Sequence, residues 1–138
     1  MTKHLYHIFL LQWAVLVVVP LLAGATVYRF LRSKRPAIFG DGTVLELPLP
    51  GVVLQSFPSL LWSFALASAL LLVWRPSAKM GVLLLGCGAT VVSVFFEFWQ
   101  AADAGHGTFD WNDVLFSGAG CLFSMLIFSK IKGNENHN

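Results

Sequence analysis

The stretch MGVLLLGCGATVVSVFFEFWQA, residues 80–101, decides the fold class of this chain. It is apolar over the roughly 20 residues that a helix needs to cross the hydrocarbon core of a bilayer. Its one charged side chain, Glu97, lies close to its carboxyl end. A charge costs roughly 2.5–3.5 kcal/mol at the centre of a membrane helix, and less near the interface. We therefore predict a transmembrane helix in which Glu97 has a partner or a function.

The composition extends this prediction to the whole chain. Of the 138 residues, 57% are hydrophobic and 12% are charged, whereas a soluble domain carries about 25% charged residues. The chain has too few charged side chains to cover a water-facing surface, which excludes a soluble domain. The net charge of +2 is small, and the basic residues flank apolar runs, so we expect no nucleic-acid partner.

Four segments are long and apolar enough to span a bilayer: residues 8–28, 52–74, 80–101 and 114–131. The sequence thus predicts an all-α, polytopic membrane protein, a four-transmembrane-helix bundle. One domain covers residues 1–132, and residues 133–138 form a disordered polar tail. The short link from Arg75 to Lys79 predicts that the second and third spans are antiparallel neighbours.

The first span is predicted to be a retained helix and not a signal peptide. Its apolar stretch is long for that role, and Arg29-Phe30-Leu31-Arg32 follows where a cleavage site would have small residues. The thiols of Cys87 and Cys121 are predicted to be free, because no Cys or His spacing is typical of a structural metal. We accordingly predict neither a metal site nor a cofactor.

The distribution of Lys and Arg predicts the orientation in the membrane. Five of these residues lie on the amino-terminal side and four on the other side, all four in one loop. They are Lys3, Arg75, Lys79, Lys130 and Lys132 against Arg29, Arg32, Lys34 and Arg35. This difference favours a cytoplasmic location for both termini.

A cysteine-labelling experiment tests this orientation. We expect a cysteine at Gly105 to react with a membrane-impermeant maleimide in intact cells, and one at Ser77 to react only after permeabilisation. The unsubstituted chain controls for Cys87 and Cys121. Outside labelling at Ser77 together with protection at Gly105 would reverse the orientation.

Polar and small residues recur at steps of three and four on three of the spans, so those of one span share one helix face. The three sets are Ser56, Ser59, Ser63 and Ala67; Gly86, Thr90, Ser93, Glu97 and Gln100; and Asp110, Asp113, Ser117, Gly120 and Ser124. Small residues let membrane helices approach closely, and hydroxyls form hydrogen bonds between them. We therefore predict that Ser93 and Glu97 face Ser117 and Asp113.

Glu97, Gln100, Asp110 and Asp113 form the candidate ligand-binding site, where the outer ends of the third and fourth spans meet. Asp103 and His106 follow in the connecting loop, and such a cluster suits a cation, a proton relay or a polar head group. A second interpretation stays open. In it, Asp110 caps the fourth helix, Asp113 lies at its positive end, and Glu97 is a hydrogen-bonded interior carboxylate.

At these residues the chain resembles the VanZ-like family of small bacterial membrane proteins. That family carries Glu-x-x-Gln at a helix end, then Arg-x-x-Asp-x-x-Asp, then an Asn and a Gly in the next helix. Here Glu97-Phe98-Trp99-Gln100 matches the first motif. Residues 107–113 match the second with Gly107 in place of Arg, and residues 117–120 occupy the third with Ser117 in place of Asn. The resemblance, over roughly residues 50–130, implies a role at the bacterial cell envelope.

Two functions of different classes follow from these observations. The first is a VanZ-like protein of the bacterial cytoplasmic membrane that binds a lipid head group or envelope precursor on the non-cytoplasmic side. The second is a non-enzymatic accessory subunit packed onto other membrane-protein subunits. Its support is the small size of the chain, the presence of Gly107 where the VanZ-like family has a basic Arg, and the twelve Phe and five Trp residues. We find no nucleophile–base set or fixed-spacing metal motif, so we do not predict an enzyme.

Overall fold

A computed structural model of the protein describes residues 3–30, 51–102 and 110–135, which are almost entirely helical. The elements are α1 (Lys3–Trp13), a π-helical turn (Ala14–Val18), α2 (Val19–Phe30), α3 (Gly51–Trp74), α4 (Lys79–Ala102) and α5 (Trp111–Glu135). The first three run on from one another as a single span. Residues 31–50, between α2 and α3, lie outside the described residues, as do residues 103–109, which include Asp103 and His106.

Four helical spans in the described ranges are long and apolar enough to cross a membrane. They are Tyr6–Phe30, Val53–Trp74, Lys79–Trp99 and Trp111–Lys132. The predicted all-α, multi-pass fold is therefore confirmed. The carboxyl-terminal boundary differs, because α5 continues through Glu135, so that residues 133–135 of the predicted disordered tail are helical. Lys132 in the last turn interacts favourably with the negative end of the helix dipole.

The π turn in the first span has an identifiable cause in Pro20. The Val19 N–H donates to the carbonyl of Ala14, five residues back instead of the usual four. Proline has no N–H, and its ring clashes with the carbonyl four residues before it, which here is that of Leu16. Widening the preceding turn accommodates both effects. The sequence predicts a kink at Pro20, and the structure places the helix irregularity directly before it.

Helix α3 occupies the centre of the bundle. It packs against α2, α4 and α5, and its interface with α5 is the most extensive in the molecule. The predicted contact between the second and third spans is present, but the principal contact joins the second and fourth. All four spans contribute to the apolar core, which includes Val17, Leu71, Leu72, Val82 and Phe128.

The seam between α3 and α5 is built from small and hydroxyl-bearing residues. A side chain at Gly120 would overlap the backbone of α3 at the Leu60 carbonyl. The Cys121 thiol donates to the carbonyl of Ser63 at 3.6 Å, and the hydroxyls of Ser68 and Ser124 lie 2.9 Å apart. The predicted polar faces of the second and fourth spans thus face each other. The close approach of α3 and α5 fixes the positions of the residues near Glu97 and Asp113.

Candidate functional site

A cavity of about 280 Å³ lies among the helix ends that carry Glu97 and Asp113. All four spans line it, through Tyr28 of α2, Ser59, Trp62, Ser63 and Leu66 of α3, Ser93, Phe96 and Glu97 of α4, and Asp113 and Ser117 of α5. Ser63 follows Val53, the start of its span, by ten residues, which corresponds to about 15 Å along the helix. The cavity therefore reaches from near one membrane face to about the middle of the bundle.

Glu97 points into the bundle although most of its neighbours on α4 face outward. Its side chain is 7% exposed, whereas Phe96, Phe98 and Trp99 are all largely exposed. The hydroxyl of Ser59 donates to Glu97 Oε1 at 3.3 Å, which links α3 to α4. This arrangement keeps the carboxylate out of the hydrocarbon, where its desolvation would cost most.

Asp113 reaches the same cavity from α5, and its side chain is 2% exposed. It lies in the first turn of that helix, where the positive end of the helix dipole stabilises a carboxylate. Asp110 has a different position. Its Oδ1 accepts hydrogen bonds from the backbone N–H and the side-chain amide of Asn112, each at 2.9 Å. Asp110 is thus the N-cap of α5, and it does not line the cavity.

Hydroxyl groups make up most of the remaining polar lining. Ser63 uses its proton in a hydrogen bond to the Ser59 carbonyl at 2.6 Å, so its oxygen is left as an acceptor. Ser93 of α4 and Ser117 of α5 add two further hydroxyls to the lining. Among the described lining residues the only charged groups are carboxylates. The lining therefore favours a ligand that donates hydrogen bonds, such as an amine or a polyol.

An aromatic pair closes one side of the cavity. The rings of Tyr28 and Trp62 are stacked, with centroids 5.2 Å apart and an interplanar angle of 25°. Gly24, one turn before Tyr28, leaves room for the indole, because any side chain there would overlap it. This pair is not among the residues predicted from the sequence. Gly24 and Tyr28 lie four residues apart, so they share one face of the first span. The spacing that indicates the polar faces of the other three spans also indicates this face.

The prediction that Ser93 and Glu97 face Ser117 and Asp113 is confirmed, since these side chains line one cavity. Of the four candidate ligand-binding residues, Glu97 and Asp113 line the cavity and Asp110 caps a helix. Gln100 follows Glu97 by three residues on α4, and its side chain lies outside the described part of the molecule. Within the described residues, no group of three or more His, Cys, Asp or Glu side chains is placed to hold a metal ion.

No family model, no curated protein and no solved structure matches this chain. The residues of the cavity, and the way the four spans bring them together, are therefore what indicates a function.

Proposed function

We propose that this chain is a VanZ-like protein of the bacterial cytoplasmic membrane, and that its cavity binds the polar head group of a membrane lipid or lipid-linked envelope precursor. One observation carries the proposal: two buried carboxylates, Glu97 and Asp113, line a single cavity to which all four spans contribute. The five-to-four distribution of basic residues supports a location of this cavity on the non-cytoplasmic side.

The two buried carboxylates could serve to bind a ligand or only to pack the helices together. Helices in lipid associate well through small residues and hydroxyls, as the seam between α3 and α5 illustrates. Even a complete buried ion pair can often be replaced by apolar residues of similar volume without loss of stability. Two carboxylates in one membrane cavity are therefore poorly accounted for by stability, and a ligand is the better explanation.

The chemistry of the lining selects the class of ligand. Carboxylates and hydroxyl oxygens accept hydrogen bonds from ammonium groups and from sugar hydroxyls. Small-molecule sites typically measure about 300–1,000 Å³, so a cavity of about 280 Å³ matches a head group better than a whole lipid. Leu66 and Phe96 provide apolar surface for the first carbons of an attached chain.

We propose binding without covalent chemistry. A serine nucleophile requires an adjacent general base, commonly a histidine. The described lining contains four serines but neither histidine nor lysine. The bond from Ser59 to Glu97 is long at 3.3 Å, and it serves to position the carboxylate between α3 and α4.

Lipid analysis of the purified chain tests the proposal. We expect the full chain, purified in mild detergent, to retain a lipid with an amine- or sugar-bearing head group, detected by mass spectrometry of the extract. Ser93→Phe fills the cavity and is expected to reduce this lipid roughly tenfold or more, the effect of about 1.4 kcal/mol of lost binding. Val92→Phe is the matched control, because Val92 is the preceding residue and is exposed on the outside of α4. Equal lipid content in the two variants would contradict the proposal.

A second candidate function is that of an accessory subunit in a larger membrane complex. The observation that favours it is an exposed aromatic surface on α4, where the rings of Phe95 and Trp99 lie 5.9 Å apart. Such a surface suits either lipid or a neighbouring protein helix. The same purification distinguishes the two functions, since a stoichiometric protein partner without an enriched lipid would favour the subunit.

A further inference from the structure

A second and larger concavity lies at the opposite end of the bundle, between α4 and α5. This groove measures about 430 Å³. Its polar end is formed by Lys79, Lys132, Ser77 and Ser129, and its walls are apolar, with Leu83 from α4 and Leu126 from α5. Since no residue of the groove lines the cavity of Glu97 and Asp113, the two sites are independent.

The polarity of the groove changes with depth in the membrane. Lys79 is the first residue of its span and Lys132 is the last residue of another, so both ammonium groups lie at the same membrane face. Leu83 lies four residues inside Lys79, or about 6 Å, and Leu126 lies six residues inside Lys132, or about 9 Å. A charged mouth at the interface above an apolar slot has the same profile as a glycerophospholipid, with its head at the interface and its chains below.

The position of Lys132 is fixed by the protein itself. Its Nζ donates to the carbonyl of Pro76 in the link between α3 and α4. An ammonium group has three donors, so this bond leaves two for a ligand. Lys79 adds a second positive charge at the mouth, and no carboxylate is among the described residues that line the groove. The charge at the mouth is therefore complementary to a phosphate.

We propose that this groove is a binding site for one anionic glycerophospholipid of the surrounding leaflet. Lys79 and Lys132 contact the phosphate, the hydroxyls of Ser77 and Ser129 supply further donors, and an acyl chain lies between α4 and α5. Leu83 and Leu126 are 51% and 54% exposed, so the chain has direct access from the bilayer. Each of the two lysines at the mouth is expected to strengthen binding of an anionic lipid about fivefold.

Native mass spectrometry of the full chain in detergent tests this site. The probes are phosphatidylglycerol and phosphatidylcholine with identical acyl chains. We expect phosphatidylglycerol to bind with an affinity roughly twentyfold higher, and Lys79→Gln to reduce that advantage about fivefold. Lys130→Gln is the matched control, because Lys130 is exposed on α5, two residues before Lys132, and does not line the groove. It is expected to leave the preference unchanged.

The choice of lysine variant and one further variant, Leu126→Trp, separate this proposal from its alternatives. Lys79→Gln is the main variant, since Lys132→Gln also removes the bond to Pro76 and can alter folding. Leu126→Trp fills the apolar slot and is expected to lower the affinity for both lipids, with the thermal midpoint of the unliganded protein recorded beside it. Equal affinity for the two lipids, or equal effects of Lys79→Gln and Lys130→Gln, would overturn the proposal. A lipid-independent dimer that Leu126→Trp dissociates would overturn it as well, because a second copy would then occupy the groove.

Discussion

The double variant Glu97→Gln, Asp113→Asn is expected to lose binding of the head group while keeping its folded yield in the membrane. Both replacements preserve size and hydrogen-bonding capacity and remove only the charges. Hydrogen bonds to charged groups contribute about 1.5–3 kcal/mol each, so we expect affinity for the retained lipid to fall roughly 100-fold or more. The measurements are lipid retention, membrane yield and thermal stability, together with sensitivity to envelope-directed antibiotics.

Two control variants make this result interpretable. Asp110→Asn is expected to have little effect on either binding or stability, because Asp110 acts as an N-cap and Asn caps helices equally well. Glu97→Leu is expected to destabilise the fold by about 1–3 kcal/mol, since it removes the acceptor of the buried Ser59 hydroxyl. Full activity of the charge-neutral double variant would refute the charged-site proposal and would favour the accessory subunit.

The second large effect is expected for Gly120→Ala, which should destabilise the bundle by about 1–3 kcal/mol through overpacking. The added methyl group would overlap the Leu60 carbonyl oxygen and the Ser63 hydroxyl, and would crowd the backbone nitrogen of Phe64. Backbone atoms of a central helix cannot move aside as a flexible side chain does, so α3 and α5 must separate. The thermal midpoint in detergent, followed by tryptophan fluorescence, measures the effect.

The matched control is Gly118→Ala, two residues earlier on the same helix. A methyl group there meets open space, and alanine has the higher helix propensity, so we expect no loss of stability. Gly120 also lies three residues from Ser117, which lines the cavity, so Gly120→Ala should lower lipid retention as well. If the two alanine variants were equally stable, the close contact between α3 and α5 would be disproved.

The number, type and approximate limits of the membrane spans follow from the sequence alone. The predicted third span, 80–101, corresponds to the helical span Lys79–Trp99, and the predicted first span, 8–28, to Tyr6–Phe30. A membrane helix satisfies its own backbone hydrogen bonds, so apolarity over a sufficient length decides its existence without reference to other segments. The inward face of α4 was equally predictable, because Ser93 and Glu97 avoid hydrocarbon whichever helix they meet.

Only the tertiary structure decided which helices are neighbours. The short loop predicted contact between α3 and α4, but the larger interface joins α3 to α5 through Gly120 and the pair of Ser68 and Ser124. Lipid chains are as apolar as leucine, so hydrophobicity does not rank one helix partner above another. Close approach of small residues and matched hydrogen bonds make that choice, and both depend on relative rotation and depth.

Because relative rotation and depth decide the contacts between helices, the sequence did not determine which side chains meet at the two sites. Spacing placed Asp110 and Asp113 on one face, yet one side chain caps α5 and the other lines the cavity. The pairing of Tyr28 with Trp62 and the meeting of Lys79 with Lys132 join residues from separate spans. The sequence by itself determined which residues face away from the lipid and which lie at the membrane faces. The packing of four helices determined which of them meet, because contacts between spans depend on geometry that no single helix contains.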